Sequence, residues 1–516
     1  MFVVYFVWFS IIFTNVETAR ILAVFPTPSI SHQIVFRPLT QELVKRGHEV
    51  VVFTTDPAFL KGNAPDNLTE IDLHELSYSS YAKFVERIDV SGSNRFDKMK
   101  FGFDVLLKVF KEQMKTNESQ EIIFAENAHF DLLLVEACAR ATLGLSHLFK
   151  VPVIQVSSLG DIVNNYEIVG AQSHPFLYPT LLRDRLYNLT MWEKVTQLYS
   201  EIKIYNLIYS LEKTENTVIR DIFGPNTPPL NELYNNVEML FLNIHPIWDN
   251  NRPVPPNVIY MGGLHLNPEK ALPKDLKFYL DSSKNGVIYL SFGTNIQPSL
   301  LPTEKIKLLV NVFSRLQYDV LWKWDLDELP GRSNNIKISK WLPQSDLLRH
   351  PNIKLFITQG GLQSTDEAIK AGVPLIGIPM LGDQWYNVEQ YTYHKIGLRL
   401  DLHTLNEEKL ETAITTILND ESYRQNIAHL RKIMSDQPQR PLDRAVWWTE
   451  YVLRFGGARH LRAPTANIKW IDYIELELVC LLLTILLIML TMFYFLTKII
   501  IRKLISINIF TKVKES

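Results

Sequence analysis

Fifty residues, Trp341 to Gln390, restrict this chain more than any other stretch. Lys354-Leu-Phe-Ile-Thr358 is a short apolar run of β-forming residues, which predicts a buried strand. Gln359-Gly360-Gly361 predicts a turn, because paired glycines admit backbone conformations that other residues resist. Ser364 to Ala371 has helical composition and stops at Gly372, and Val373 to Ile378 is a second apolar run. Strand, glycine turn, helix and strand make a βαβ unit. Such a unit sets unpaired backbone N–H groups and a helix N-terminus at the carboxyl edge of a parallel sheet, where an anion such as phosphate is stabilised.

Polar residues gather at those edges. Trp341 and Gln344 precede the first strand, Gln359, Gln363, Ser364 and Glu367 follow it, and Asp383 and Gln384 follow the second. An aromatic plate, amides, a hydroxyl and carboxylates around a phosphate cradle suit a sugar nucleotide. Each residue also has a plainer explanation. Ser364 and Glu367 spell S-x-x-E, a capping box that needs no ligand, Trp341 is equally compatible with a core position, and a polar residue after a strand can be solvated loop.

Taken together, the motifs W-x-P-Q (Trp341, Pro343, Gln344), His350-Pro351, Thr358-Gln-Gly-Gly361, Ser364-x-x-Glu367, Gly372-Val-Pro374 and Asp383-Gln-x-x-Asn387 resemble the signature of the UDP-glycosyltransferase family, the UDP-glucuronosyltransferase superfamily. Gln359 stands where many members carry His, a form that resembles the invertebrate branch. The Gln amide donates to phosphate but brings no positive charge. The resemblance implies an α/β chain of the GT-B fold, two Rossmann-like domains facing a cleft, together with one C-terminal transmembrane helix.

The ends of the chain fit a membrane protein. Phe2 to Phe13 is an apolar run of signal-peptide length, with Ala19 as the cleavage point of a 1–19 signal segment. Leu478 to Leu496 holds nineteen residues without a charge, the length of a transmembrane helix, and Lys498, Arg502, Lys503, Lys512 and Lys514 follow in the 497–516 tail. Positive charge collects on the cytoplasmic side, so the body is expected in the lumen. Lys512-Val-Lys514-Glu-Ser516 matches the K-x-K-x-x retrieval signal of the endoplasmic reticulum. Asn67-Leu-Thr69, Asn117-Glu-Ser119 and Asn188-Leu-Thr190 are glycosylation sequons on the expected lumenal side. A net charge of −2 over 516 residues offers no footprint for nucleic acid. With only Cys138 and Cys480, the latter in the membrane-length segment, a disulfide framework is excluded.

The N-terminal half opens with strand Ile21–Phe25, turn Pro26–Ser31, helix Gln33–Lys45 and strand Glu49–Thr54. It lacks G-x-G-x-x-G, which argues against a dinucleotide site. His32 lies at the tip of the first strand, where an imidazole can take a proton from a hydroxyl; the alternative is that it caps the helix. The family has its catalytic base at this place, in a similar P-x-x-S-H turn. A partner carboxylate would orient the ring. Asp131 begins the strand Asp131–Glu136 and lies at the wrong edge, whereas Glu136 ends it. Glu136 falls where family members carry Asp, and the other position used for Asp holds Ala141. Glu136 is therefore the candidate partner, with a simple strand-end charge as the alternative.

The expected layout is an acceptor-binding domain over 20–245, a Pro-rich linker over 246–275 and a UDP-sugar-binding domain over 276–460 with a closing helix from Pro441 that crosses back. Aromatic segments such as Phe176-Leu-Tyr178 and Tyr205–Tyr209 are compatible with a lipophilic acceptor pocket or with ordinary core. By resemblance, Trp341 stacks on uracil with Gln344 beside it, and Glu367 binds ribose. Gln359, Gly361, Ser364 and the Ser291–Asn295 loop, with Gly293 and Thr294 within it, hold the diphosphate, and Asp383 and Gln384 bind sugar hydroxyls. The implied activity is inverting transfer of a hexosyl group, glucose before glucuronic acid, from a UDP-sugar to small lipophilic acceptors, a detoxifying conjugation. It calls for no metal and no cofactor, the UDP-sugar being a co-substrate, and is compatible with a homo-oligomer. The missing Asp leaves open a UDP-sugar or lipophile binding protein without turnover. A membrane-anchored NAD oxidoreductase fits the twin α/β halves but lacks the glycine fingerprint.

Overall fold

The computed structural model describes residues 18–85 and 95–514, so the expected signal segment lies almost wholly outside the described residues. Strands β1 (Arg20–Phe25), β2 (Glu49–Thr54), β3 (Leu68–Asp72), β4 (Leu132–Glu136), β5 (Val153–Ser157), β6 (Val237–Leu242) and β7 (Val258–Tyr260) form one sheet in the order β3-β2-β1-β4-β5-β6-β7. Strands β8 (Val287–Ser291), β9 (Asp319–Lys323), β10 (Ile336–Ser339), β11 (Ile353–Thr358), β12 (Leu375–Gly377) and β13 (Gly397–Arg399) form a second, in the order β10-β9-β8-β11-β12-β13. Every pairing in both sheets is parallel. Parallel sheets are covered on both faces, which is why β4, β5, β6 and β8 are buried from end to end.

In each sheet the strand order reverses once, between β1 and β4 and between β8 and β11. The loops leaving such a pair run in opposite directions and open a crevice at the carboxyl edge. The chain thus carries two crevices, and they share a cleft. Trp248, fully buried, joins the two halves: its indole N–H donates to Asn387 Oδ1 at 2.9 Å, and its carbonyl accepts from Tyr386 Oη at 3.0 Å. The helix Pro441–Phe455 packs on the first domain, burying Ala445, Val446 and Val452 among side chains of the first sheet and pairing Glu450 with Arg46.

Several expectations shift. The linker 246–275 contains β7, the seventh strand of the first sheet, so that domain extends past residue 245. The prolines misled because they flank a three-residue edge strand, where no ladder N–H is lost. The first helix starts at Ile30, so His32 lies within its first turn and is not its cap. The last helix runs over Leu476–Lys514, with Leu476–Ser506 long and apolar enough to cross a membrane. It outruns the charge-free 478–496 because no Gly or Pro interrupts it before Lys514.

Candidate active site

The first crevice is built by a clamped turn. After β1 the chain turns through Pro26–Ser29, and Gln33 Nε2 donates to the carbonyls of Phe25 and Thr27 at 3.0 and 3.1 Å. This sets His32 against the end of β4. Its Nδ1 lies 2.6 Å from Glu136 Oε1. Glu136 is 1% exposed, and its other oxygen accepts the Thr27 N–H at 3.1 Å. Cys138 Sγ donates to Oε1 at 3.4 Å. Burial and the Glu136 charge push the Cys138 thiol well above its ordinary pKa, so it remains an S–H donor. A carboxylate only accepts, so in the neutral ring Nδ1 carries the hydrogen and Nε2 the lone pair. His32, Glu136 and Cys138 also bring potential metal-ligand atoms within 4.8 Å of one another. However, two ligands on a tetrahedral zinc stand about 3.3 Å apart, and the 2.6 Å His–Glu spacing is that of a hydrogen-bonded pair. Asp131 sits at the opposite edge, accepting the Arg20 N–H at 2.7 Å.

The second crevice is made of two glycine turns in contact. Gly293, after β8, has φ 75°, and a Cβ there would lie 2.4 Å from Gln359 Nε2. Gly360, after β11, has φ 90°, and its Cβ would meet Val388 at 2.4 Å. Both positions need glycine for conformation, and Gly360 needs it for space as well. Gln359 is buried between the turns, and its Oε1 has no partner among the described residues. Gly361 caps the helix Leu362–Ala371, which ends at Gly372 with φ 75°.

Ser364 therefore sits inside that helix, and no capping box forms. Instead Gln344 Nε2 donates to Ser364 Oγ at 2.9 Å and Glu367 Oε2 at 2.7 Å, while its Oε1 accepts from Tyr289 Oη at 3.0 Å. Both amide hydrogens of Gln344 are thus spent on Ser364 and Glu367, which it orders, while its Oε1 keeps a second lone pair. Burial pushes the Glu367 carboxyl up to about 7, against the pull of that Gln344 bond. Trp341 is 65% exposed, an open plate and not a core residue. Lys323 Nζ stands 4.7 Å from its ring and donates to the Gly293 carbonyl at 2.8 Å. Lys323, which motif reading passes over, thus links the plate to the glycine loop. Its signal was its place at the end of a strand beside β8.

The two crevices meet. Ser29 Oγ donates to Asn295 Oδ1 at 3.3 Å, and Gln363 Nε2 to the Ser158 carbonyl at 2.9 Å, both across the domains. Ser291 is buried and accepts the Gly293 N–H at 3.3 Å, while Thr294 is exposed. A cavity of about 360 Å³ lies between, lined by His32, Met99, Phe103 and Leu182 from one side and by Asp383 and Gln384 from the other. Asp383 Oδ2 accepts from Asn387 at 2.7 Å, and burial raises its carboxyl to about 6, with the nearby His32 acting the other way. Gln384 Oε1 is taken by the N–H groups of Met380 and Leu381 at 2.8 and 2.7 Å, leaving its NH2 as the available group. The apolar wall comes from the helix Arg95–Gln113 with Leu159, Ile162 and Leu182, and not from Phe176, Tyr178, Tyr205 or Tyr209, which do not line the cavity. Met99, Phe103, Leu106 and Phe110 recur at helical spacing, and that periodicity was the signal available.

Among the sequons, Asn67 is spent within the fold: its Nδ2 donates to the carbonyls of Val44 and His48 at 2.8 and 2.9 Å. A glycan linked there replaces one of the two Nδ2 hydrogens and so would displace one of these bonds. Asn117 and Asn188 are exposed.

Comparison with known proteins agrees with this geometry. The family model described as UDP-glucoronosyl and UDP-glucosyl transferase matches residues 20–510. The chain is 36% identical over 487 residues to the ecdysteroid UDP-glucosyltransferase of Spodoptera littoralis nuclear polyhedrosis virus, covering 90% of this chain and 94% of the relative. It is 30% identical over 493 residues to UDP-glycosyltransferase UGT5 of Dactylopius coccus, covering 95% and 93%. Arabidopsis thaliana UGT89C1 complexed with UDP-L-rhamnose superposes with a TM-score of 0.55 at 14% identity, over 85% of this chain and all of that one. The glycotransferase of kitacinnamycin does so with 0.57 at 17% identity, over 85% and 99%. These neighbours fix the fold as GT-B. The chain belongs to the UDP-glycosyltransferase family and is an enzyme that transfers sugar from a UDP-sugar.

Proposed function

We propose that the chain transfers glucose from UDP-glucose, with inversion, to a hydroxyl of a small lipophilic acceptor. The observation that carries this reading is the 2.6 Å contact between His32 Nδ1 and the buried Glu136, made at the wall of an apolar cavity that Asp383 and Gln384 close from the donor side. In this mechanism the acceptor lies against Met99, Phe103 and Leu182, and its hydroxyl gives its proton to His32 Nε2. The freed oxygen bonds to the anomeric carbon as the bond from that carbon to the diphosphate oxygen breaks. Glu136 holds the imidazolium that forms. The negative charge developing on the UDP leaving group is met by the backbone N–H groups at Gly361, by Ser364 and by the Ser291–Asn295 loop. Trp341 stacks on uracil, Glu367 takes the ribose hydroxyls, and Asp383 with the Gln384 amide takes those of the sugar.

The 36%-identical viral relative is named a UDP-glucosyltransferase, which supports glucose over glucuronic acid. Its name also gives it an ecdysteroid as acceptor, which supports a small lipophilic acceptor here. The helix Leu476–Ser506 anchors the chain in the endoplasmic reticulum membrane, with both domains lumenal, glycans at Asn117 and Asn188, and the basic tail in the cytosol.

Membranes carrying wild type or His32→Ala are given UDP-glucose or UDP-glucuronate with a panel of phenols and sterols. Glycoside of inverted anomeric configuration from wild type, strongest with UDP-glucose and lost with His32→Ala, is the expected result. Tight UDP-glucose binding with no product across the panel would replace this reading with that of a binding protein.

A further inference from the structure

The helix Gln384–Tyr393 belongs to the second domain, and Asp383 and Gln384 at its N-terminal end line the cavity from the donor side. Its body is gripped by the first domain. Tyr386 Oη donates to the Trp248 carbonyl at 3.0 Å, Glu389 Oε2 accepts the Leu186 N–H at 3.1 Å, and Gln390 Nε2 donates to Asn250 Oδ1 at 3.2 Å. A helix of one domain is thus held by the other along its length, with the residues that face the sugar at its tip.

One of these contacts reaches through the helix to its tip. Trp248 lies in the turn Pro246–Asp249, between β6 and β7. Asp249 fixes that turn to the first domain: its Oδ2 accepts from Tyr166 Oη at 2.6 Å and from Tyr260 Oη at 2.7 Å, and Arg252 pairs with it at 3.4 Å. The buried indole stacks on His394, with ring centroids 5.7 Å apart, and its N–H meets Asn387 Oδ1 at 2.9 Å. An indole nitrogen only donates, so it takes the oxygen edge of the Asn387 amide and leaves the NH2 edge turned the other way. That NH2 donates to Asp383 Oδ2 at 2.7 Å and to the Gly360 carbonyl at 2.9 Å. Asn387 is buried as well, so a bond lost from this chain leaves a group out of reach of water. The Gly360 turn has a second tie, its N–H to Thr358 Oγ1 at 3.3 Å, so the chain bears chiefly on Asp383. Packing alone would ask only for a large apolar side chain at position 248; the indole N–H adds a directed link from one domain to a carboxylate of the other.

We propose that Trp248 is a positioning residue for the transferred sugar: through Asn387 it aims the Asp383 carboxylate, so that the first domain completes the grip of the second on the hexose. This rests on the reading above in which Asp383 takes sugar hydroxyls. Burial works against the charge of Asp383, and the Asn387 bond is the first of the contacts that oppose it. A carboxylate aimed and kept charged in this way accepts from hydroxyls more strongly than a loose or neutral one. The two ends of the donor then depend on different parts of the molecule. The uridine end, at Trp341 and Glu367, is held within the second domain, whereas the sugar end is held fully only when the first domain is docked.

The test compares UDP with UDP-glucose binding, by calorimetry on the full chain in detergent micelles. Asp383→Asn should weaken UDP-glucose about tenfold and leave UDP within about twofold. Trp248→Phe keeps a ring in the joint but not the N–H, and should weaken UDP-glucose about fivefold, the worth of one buried hydrogen bond, again with UDP within about twofold. In Trp248→Phe/Asp383→Asn, UDP-glucose should bind no worse than in Asp383→Asn, because the indole acts through that carboxylate. Tyr187→Phe removes another contact across the same joint, Tyr187 Oη standing 2.9 Å from Gln390 Oε1, and should leave both affinities as they are. UDP-glucose binding unmoved by Asp383→Asn would remove the reading of Asp383 as a sugar ligand, and the inference with it. A loss in Asp383→Asn with none in Trp248→Phe, or additive losses in the double variant, would overturn the inference and leave that reading standing. Equal losses of UDP and UDP-glucose in Trp248→Phe would make the indole a packing residue, and the same split in Tyr187→Phe would assign the effect to docking in general; either overturns the role of Trp248. Where Trp248→Phe fails to fold, Trp248→benzothienylalanine, an indole isostere with sulfur in place of the N–H, takes its place under the same expectations.

Discussion

The two crevices do related work by opposite constructions. The donor crevice is nearly local: Gln359, Gly361, Ser364, Glu367, Asp383 and Gln384 come from one βαβ stretch, Trp341 and Gln344 come from just before it, and the Ser291–Asn295 loop and Lys323 join from earlier strands. The acceptor crevice is assembled from a distance. His32 and Glu136 are 104 residues apart in sequence, and Met99 and Leu182 come from two further segments. Backbone groups and glycine turns dominate the first, while side chains held by other side chains dominate the second. A crevice that grips a constant ligand with its backbone tolerates little sequence change. One that receives variable acceptors places its chemistry on a pair and leaves the wall free to vary.

If this contrast holds, the largest effects belong to the acceptor crevice and appear in kcat. His32→Ala should lower kcat by about 10³-fold, within the range for loss of a positioned general base, and leave UDP-glucose affinity unchanged. Retention of more than about a tenth of the activity would break the assignment. Glu136→Gln keeps the shape but not the charge and should cost about 10²-fold in kcat. In the double variant His32→Ala/Glu136→Gln the second change should add almost nothing, because the two act as a unit. Additive losses would mean that Glu136 serves the fold and not the ring.

The donor crevice should answer in binding. Trp341→Ala removes the exposed plate. Stacking of a base on an aromatic ring is worth about 1–3 kcal/mol, so the UDP-glucose Kd should rise about tenfold or more, with kcat at saturation nearly kept. Loss of kcat without loss of affinity would erase the division between the crevices.

The same contrast decides what could be read in the chain. Contiguous motifs predicted the local elements of the second crevice, including the turn at Gly360 and the helix stop at Gly372. What a linear motif cannot display there is a tertiary contact: Gln344 turns back onto Ser364 and Glu367. For the first crevice, Glu136 was found by its place at a strand end, and its extra methylene brings the carboxylate to 2.6 Å from His32 where a missing Asp left doubt. Met99 and Phe103 stayed hidden because an amphipathic helix presents the same pattern whether its apolar side meets a core or a cavity.

Glu367 sharpens the donor side through pH. Burial raises its pKa to about 7, so the free protein binds this proton below that value. A carboxylate accepts from ribose hydroxyls more strongly than a carboxylic acid does, by about 1 kcal/mol. UDP-glucose, whose diphosphate does not titrate in this range, should therefore bind about three- to fourfold more tightly at pH 8 than at pH 6. Glu367→Gln should bind it with no such dependence. A pH slope that survives in Glu367→Gln would place the titrating group elsewhere, with Asp383, raised to about 6, next in line.

The smallest expected effect returns to the acceptor crevice and asks how tightly its pair is held. Glu136 has three donors: the Thr27 N–H, the His32 ring and the Cys138 thiol. The thiol is the weakest of them, at 3.4 Å, and its raised pKa keeps it protonated beside the carboxylate. Cys138→Ala removes that donor and slightly widens the cavity, while the other two donors still fix the carboxylate. It should lower kcat by about two- to threefold, the worth of one weak hydrogen bond, and Cys138→Ser should restore it. The acceptor KM separates this from a change in cavity size, since Cys138 also lines the cavity. A shift in KM that Ser and Ala share, with kcat unmoved, would make Cys138 part of the wall and leave Glu136 held by two donors alone.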